Sequence, residues 1–377
     1  MVIRTMTGET SVAKIGVGII GAAPDRSWAA KSHIPALHAL PDYEIRALST
    51  TRQASADAAA AEFGVPHAYD NHAALINSPE VDLVVVAVKV PHHYELVKAA
   101  IAAGKHVFCE WPLGNGLAET EELAALAKAA GVRTAVGLQA RSAPVFGYVR
   151  DLIAQGYVGE VLSTTLVGSG MIWGPAIDQP SAYAYDRTNG ATMLTIPFGH
   201  TIDAISTCLG EIVEVSALLA NRRRDCLIMP EGIPLKMTAE DQLVVNATFA
   251  SGAIGAIHYR GGMSRGTNLR WEVNGSEGDL VITGDTGHAQ MFSLSLFGGH
   301  GEDQGVQAMT VPPQYQWTPD LPMFAQNVAQ AYVLFANDLR NGTNTCPTFD
   351  DAVIRHRLIE AVAASAASGQ RCRVVGV

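Results

Sequence analysis

Two short stretches of the chain combine residue types that can hold a dinucleotide. The first is Gly18-Ile-Ile-Gly21-Ala22-Ala23-Pro-Asp-Arg26-Ser-Trp28. A G-x-G-x-x-G loop uses one glycine for the turn, one for close approach of the phosphates and one for helix packing. Gly21 suits the first role. Ala23 stands where the second glycine belongs, and Arg26 where the third belongs. By itself the loop also fits an ordinary strand–helix turn. The second stretch is Leu48-Ser49-Thr50-Thr51-Arg52. An NAD site places an acid about 20 residues past the glycines, for the ribose 2′-hydroxyl. None stands at this strand end. Ser49, Thr50 and Arg52 offer hydroxyls and a guanidinium, which suit a 2′-phosphate. The expected cofactor is therefore NADP(H), with NAD(H) second. A solvated loop is the plainer alternative.

Groups for proton transfer lie further on. His200 carries an imidazole that titrates near neutral pH and can take a hydroxyl proton as hydride leaves. With Ile202 and Leu209 nearby it also reads as a core histidine. Lys89 directly follows the apolar run ending at Val88, at the edge where α/β sheets hold ligands. A surface lysine is an equally good reading. Tyr183, Tyr185, Asp186 and Arg187 form a polar cluster that can hydrogen-bond and stack on a polyol, or simply make a loop. Trp173 fits a sugar platform or a core position.

The elements that must position these groups follow from the pattern. Over the first ~140 residues, apolar runs alternate with helical segments, which implies a doubly wound parallel sheet. Strands are expected at Lys14–Gly21, Glu44–Thr50, Val81–Val88, His106–Cys109 and Arg133–Gly137. Helices are expected after Arg52, at His93–Ala103 and at Leu117–Ala130, with Gly64, Gly104 and Gly131 as stops. Beyond Gly156 long strands follow one another: Val161–Gly170, Ile212–Arg222, Gln242–Ala250, Ala253–Tyr259, Leu269–Asn274, Leu280–Thr283 and Met291–Phe297. This predicts an α+β half with a large, open, mainly antiparallel sheet. One helix near His200–Leu209 interrupts it. Helices at Met323–Leu339 and Asp350–Ser368 close the chain, the last with a capping box from Thr348 and Asp351. The expected division is a dinucleotide-binding domain over 1–142 and a substrate and oligomerisation domain over 143–377.

Composition narrows the function. Hydrophobic residues make up 48% of the 377 residues, enough for large cores and against disorder. The formal net charge of −10 argues against nucleic acid, which needs a basic footprint. No run reaches the ~18–20 apolar residues of a membrane span. The five cysteines are widely spaced and odd in number, so neither a disulfide framework nor a metal site is indicated. A reducing cytoplasm is the expected setting.

Further motifs give the chain a family likeness. Lys105-His-Val-Phe-Cys-Glu110-Trp111-Pro112 resembles the G-K-H-V-x-x-E-K-P motif of the glucose–fructose oxidoreductase/inositol dehydrogenase (Gfo/Idh/MocA) family. The preceding strand and His93 resemble that family's strand, loop and helix-start histidine. Gly137-Leu-Gln139-Ala-Arg141 resembles its sixth strand and the arginine after it. Trp28 to His33, Gln139 to Arg141 and Phe198 to Asp203 are similar to the family's fungal galactose-repressor branch, which acts as a ligand-responsive regulator. The resemblance implies that Gly21, Ala22, Ala23, Trp28, Val88, His93, Glu110, Trp111 and Gln139 surround the cofactor. It also turns His200 into the favoured proton acceptor, with Lys89 and Tyr185 behind it.

Two departures stand out. The family lysine is Trp111 here, and an indole can neither relay a proton nor polarise a carbonyl as a cation does. The family aspartate four residues before the histidine is Ile196. The expectation is an NADP(H)-dependent oxidoreductase acting on a sugar or polyol. Its rival is an inactive dinucleotide- or sugar-binding sensor with a protein partner. The resemblance also implies pairing of subunits, as a homodimer or homotetramer, through the open sheet.

Overall fold

The structure is a computed structural model and describes residues 13–24 and 27–376. Arg26, the expected third-glycine position, lies outside the described residues. The first half contains β1 (Ile15–Ile20), α1 (Trp28–Lys31), α2 (His33–Ala39), β2 (Tyr43–Ser49), α3 (Gln53–Phe63), β3 (His67–Tyr69) and α4 (His72–Ile76). It continues with β4 (Leu83–Val86), α5 (His93–Ala102), β5 (His106–Glu110), α6 (Leu117–Ala130) and β6 (Thr134–Gly137). The strands form one parallel sheet in the order β3-β2-β1-β4-β5-β6. The order reverses between β1 and β4. A crevice therefore opens beyond their carboxyl ends, where open α/β sheets hold ligands. Leu83 to Val86 is fully buried on both faces, as a central parallel strand must be.

The second half contains α7 (Pro144–Ala154), β7 (Val161–Ser169), β8 (Ala176–Asp178), α8 (Gly199–Leu209), β9 (Ile212–Ala220), β10 (Asp225–Met229) and β11 (Ile233–Lys236). Then come β12 (Gln242–Phe249), β13 (Ile254–Arg260), β14 (Leu269–Gly275), β15 (Gly278–Gly284), β16 (Leu294–His300) and β17 (Gln307–Met309). The chain closes with α9 (Met323–Asn341), α10 (Phe349–Ser368) and β18 (Cys372–Arg373). Nine strands form a sheet in the order β17-β16-β15-β14-β7-β13-β12-β9-β18. All neighbours are antiparallel except β7 and β13.

Strand alternation decides which face is covered. On β12, Leu243, Val245, Ala247 and Phe249 are buried while Asn246 between them is exposed. Trp271 of β14 stacks on Phe146 of α7 at 5.5 Å, and its indole N–H donates to Thr164 Oγ1 at 2.8 Å. Each such side chain taken out of water stabilises the fold by roughly 1.5–3 kcal/mol. The outer face stays open, with Ile254, Ala256 and Thr165 exposed.

The two closing helices tie the halves together. α9 packs on α2, and α10 packs on both α6 and β9. α10 begins with the expected capping box of Thr348 and Asp351. One expected strand differs. Met291–Phe297 yields to Leu294–His300, because the chain turns before it, with Met291 N–H bonded back to the His288 carbonyl. The short strands β3, β8, β10, β11, β17 and β18 carry too little alternation to be read from sequence. Among the described residues no helix is long and apolar enough to cross a membrane, and no cluster of His, Cys, Asp or Glu could hold a metal ion.

Candidate active site

A groove of about 390 Å³ lies at the carboxyl ends of β1, β2 and β4. Gly21, Ser49, Thr50, Thr51, Asp70 and Val88 are among its walls. The chain leaves β1 through Gly21 at φ +100°, a conformation that favours glycine. A Cβ there would lie 2.6 Å from the Ala87 carbonyl oxygen. The Gly21 amide donates to the Ser49 carbonyl at 3.0 Å and so joins the turn to the end of β2.

Other residues expected at the cofactor lie around the groove. Ala22 is fully buried beneath the turn and does not line it. Ala23 is exposed, and its carbonyl accepts from the Ser27 hydroxyl at 2.7 Å. Ser27 caps α1 by accepting from Ala30 N–H, so the four-residue first helix has that amide already satisfied. Arg52 is exposed at the start of α3 and does not line the groove. Thr51 and Asp70 were not foreseen. Asp70 follows β3, a three-residue strand that sequence alternation does not reveal.

A second cavity, of about 340 Å³, lies between the halves. Trp28, Glu110, Trp111 and Gln139 reach it from the first half, and His200 and His288 from the second. Glu110 ends β5 with its carboxylate held on two sides. The His33 Nε2 lies 2.9 Å from Oε1, and Gln139 Nε2 donates to Oε1 at 2.8 Å and to Oε2 at 3.0 Å. His33 Nδ1 meets the Tyr332 hydroxyl at 2.7 Å, which orients the ring from α9. A carboxylate accepts only, so His33 turns its N–H toward Glu110 and takes the Tyr332 proton on the other nitrogen. Glu110 is thereby a fixed negative wall.

Trp111 lines the same cavity, but its polar end is occupied. The indole N–H donates to the Thr195 carbonyl at 2.7 Å. Its ring packs 4.8 Å from that of His356 on α10, and a Cβ on Gly199 would meet it at 3.0 Å. His93 sits below the following turn, fully buried, with Nδ1 2.7 Å from the Pro112 carbonyl and Nε2 3.0 Å from the Val88 carbonyl. It clasps the Trp111–Pro112 loop to the end of β4. Burial pushes its pKa down, the carbonyls partly opposing this.

His200 enters from the first turn of α8. It is buried and its Nδ1 has no partner. Burial, and then the neighbouring His288, press its pKa down to about 3, so the ring is neutral at physiological pH. Ile196 lines the cavity one turn earlier, in a π-helical turn over Leu194–Phe198 that contains Pro197. Wide turns of this kind recur at functional sites. α8 is pinned from outside the cavity. Asp203 accepts from Arg141 Nε at 2.6 Å and Nη2 at 2.5 Å, and Arg141 Nη1 also reaches Asp351 at 2.9 Å. Arg355 adds Ser206 and a two-pronged contact with Glu211.

The remaining candidates divide. Lys89 is exposed, with its ammonium 4.6 Å over the ring of Tyr183, which lines the cavity. Tyr185 is fully buried and does not line it. Its hydroxyl donates to the Gly174 and Ala176 carbonyls at 3.0 and 3.1 Å. It is turned away because those carbonyls need a donor inside the fold. Trp173 does line the cavity, at φ +60°, next to Met171 at φ +63°. Left-handed backbone at bulky residues is strained and clusters at functional sites. His288, Gln290, Met171 and Met291 complete the walls, and no sequence motif pointed to them.

A model of an oxidoreductase family with an NAD-binding Rossmann fold matches residues 15–138, and a model of the Gal80p C-terminal domain matches residues 144–284. The chain is similar to dehydrogenase aclE of Aspergillus oryzae, at 29% identity over 95% of this chain and 97% of that protein. It is 30% identical to myo-inositol 2-dehydrogenase of Thermotoga maritima, with 71% and 73% covered. A crystal structure of a super-repressor mutant of Gal80p from Saccharomyces cerevisiae superposes with a TM-score of 0.87 at 26% identity, covering 96% of this chain and 98% of that one.

Proposed function

We propose, from the premise that the chain belongs to the oxidoreductase family with an NAD-binding Rossmann fold (Gfo/Idh/MocA), that it is an NADP(H)-dependent oxidoreductase of sugar or polyol carbinols. The observation that carries this reading is the unpartnered, buried His200 facing a cavity that Glu110, Gln139 and Trp28 also line. A buried polar atom without a partner is costly unless a ligand completes it.

The residues present fit a dinucleotide. Only a glycine lets the turn at Gly21 pass this close to Ala87 and Val88 at the end of β4, and the groove runs along the strand ends beside Ser49, Thr50 and Val88. When bound, the nicotinamide cofactor supplies the hydride acceptor or donor. Ser49, Thr50 and Thr51, with Arg52 swung in from the start of α3, would hold the 2′-phosphate. Glu110, fixed by His33 and Gln139, would set the polar edge of the nicotinamide pocket. Trp28, Trp111 and Trp173 would enclose the substrate and exclude water.

His200 would exchange the carbinol proton. Its ring is neutral, so it can accept a hydrogen bond from the hydroxyl before it accepts the proton. Lys89, over the ring of the cavity-lining Tyr183, would supply a cation once the family lysine is gone. Residues 1–142 would hold the cofactor, and the open sheet face would pair two subunits in the cytoplasm.

A second reading is favoured by a specific observation. Trp111 spends its N–H on Thr195, and Ile196 gives the cavity an apolar wall where the family has an acid. Together with the Gal80p likeness, this supports a sensor that binds without turnover and signals to a protein partner. Incubation with NADP+ and a sugar panel separates the two. Reduced cofactor that appears with the native protein and fails with His200→Ala supports the oxidoreductase. Tight cofactor binding without turnover on any carbinol supports the sensor.

A further inference from the structure

His288 and Gln290 lie on the loop between β15 and β16 and, beyond the influence of His288 on His200, have been given no part in the chemistry above. His288 is buried, with its ring stacked on Trp173 at 6.3 Å and 7° between planes. Its Nε2 is 2.8 Å from the Gly170 carbonyl oxygen. A carbonyl only accepts, so Nε2 carries the ring proton and Nδ1 presents a lone pair. That lone pair is met by Gln290 Nε2 at 3.1 Å. The amide cannot be turned over, because its oxygen would then face the lone pair. The Gln290 main chain is fixed as well, its carbonyl accepting from Asn327 Nδ2 at 2.9 Å. What remains is Gln290 Oε1, buried in the cavity wall without a partner. The Gly170 carbonyl thus determines, through two side chains, that the unpartnered end of this cavity-lining amide is a neutral acceptor.

We propose that Gln290 Oε1 accepts a hydrogen bond from a substrate hydroxyl, with His288 as its positioning residue, and so selects neutral single-ring carbinols bearing that hydroxyl. The inference rests on reading the cavity as the carbinol site. Its volume of about 340 Å³ is at the small end of the ~300–1,000 Å³ range of ligand pockets and is shared with the nicotinamide edge at Glu110, which leaves space for no more than one substrate ring. An amide oxygen attracts a hydroxyl proton and repels a carboxylate, so sugar acids are disfavoured at this point. Sites built to bond a hydroxyl reject analogues that lack it far more strongly than apolar pockets discriminate by size.

Three cavity tryptophans give a readout independent of turnover, since ligand binding alters their fluorescence. The probes are D-glucose, D-galactose, myo-inositol and their monodeoxy analogues, titrated with NADP(H) present. For the tightest probe, removal of one particular hydroxyl should weaken binding to the native protein about tenfold or more. Gln290→Met should lose about as much with the parent probe and nothing with that one deoxy analogue. His288→Phe keeps the stacking and should reproduce this pattern, and the double variant should lose no more than either single one. A merely structural role would weaken all probes alike. The proposal is overturned if no probe binds, if the variants weaken every probe equally or none, or, should the variants not fold, if the native protein binds every deoxy analogue as well as the parent. Binding that follows this pattern without any hydride transfer would sink the oxidoreductase reading and leave the role of Gln290 intact.

Discussion

The indole nitrogen of Trp111 lies 2.7 Å from the carbonyl oxygen of Thr195, across the seam between the two halves of the chain. The family places a flexible cation at this position. Here a rigid ring spans to the π-helical turn that precedes His200 and is backed by His356. The replacement exchanges a chemical group for a structural strap, and it fixes the height of α8 relative to the end of β5.

Substitution of Trp111 therefore reads out first as stability. Trp111→Phe keeps most of the ring and loses the hydrogen bond, with an expected cost of about 1–2 kcal/mol in denaturant unfolding. Trp111→Lys places an ammonium where the indole is 4% exposed, and should cost at least about 3 kcal/mol. A lysine variant as stable as the native protein, with raised turnover, would show that the ring is dispensable packing.

Asp203 supports the same helix from its far side. It is fully buried between Arg141 and Arg355, with both oxygens used. Asp203→Ala would leave two guanidinium groups without their shared partner. Breaking a buried pair on one side costs about 3–5 kcal/mol. Thermal unfolding should show that loss. A change within experimental error would mean that Asp351 and Glu211 satisfy the arginines without Asp203.

Acid should weaken the fold through its histidines. His200 and His356 are held near pKa 3 and His288 near 4 by burial, against an ordinary 6.5. Below 6.5 the unfolded chain takes up protons that the folded chain refuses, so stability is full above that value and falls as pH drops. Each group costs about 1.4 kcal/mol per pH unit in that window. The three together amount to roughly 4 kcal/mol at about pH 5.5. Urea midpoints measured between neutral pH and that point should decline accordingly, and a flat profile would refute buried neutral rings.

Cofactor choice is tested at Arg52. Loss of a charge-assisted contact is worth about 1.5–3 kcal/mol. Arg52→Ala should weaken NADPH by about tenfold or more and leave NADH nearly unchanged. Equal loss for both would remove Arg52 from the phosphate site and turn attention to Asp70, an acid in the groove wall.

The legible and illegible parts of this chain differ for physical reasons. Val81–Val88 and Leu117–Ala130 could be read because a doubly buried strand and a helix ended by a left-handed Gly131 leave strong local patterns. β3 could not, with three half-buried residues and no alternation to speak of. In the site, Glu110 and His200 came from the family resemblance, and each sits on a regular element that keeps the likeness readable. Gln290 is placed by a turn and by a neighbour's tautomer, and neither leaves a trace in residue order. Tyr185 was drawn in by its chemistry, yet its environment gives the hydroxyl to two main-chain carbonyls.

One titration bears on all of this. The native protein, mixed with NADPH in a calorimeter, should bind it at micromolar concentration and more tightly than NADH. With NADP+ and a carbinol, nicotinamide absorbance should then grow in the native protein and stay flat in His200→Ala. Failure of both coenzymes to bind at millimolar concentration would contradict the cradle at Gly21, and the redox function would fall with it.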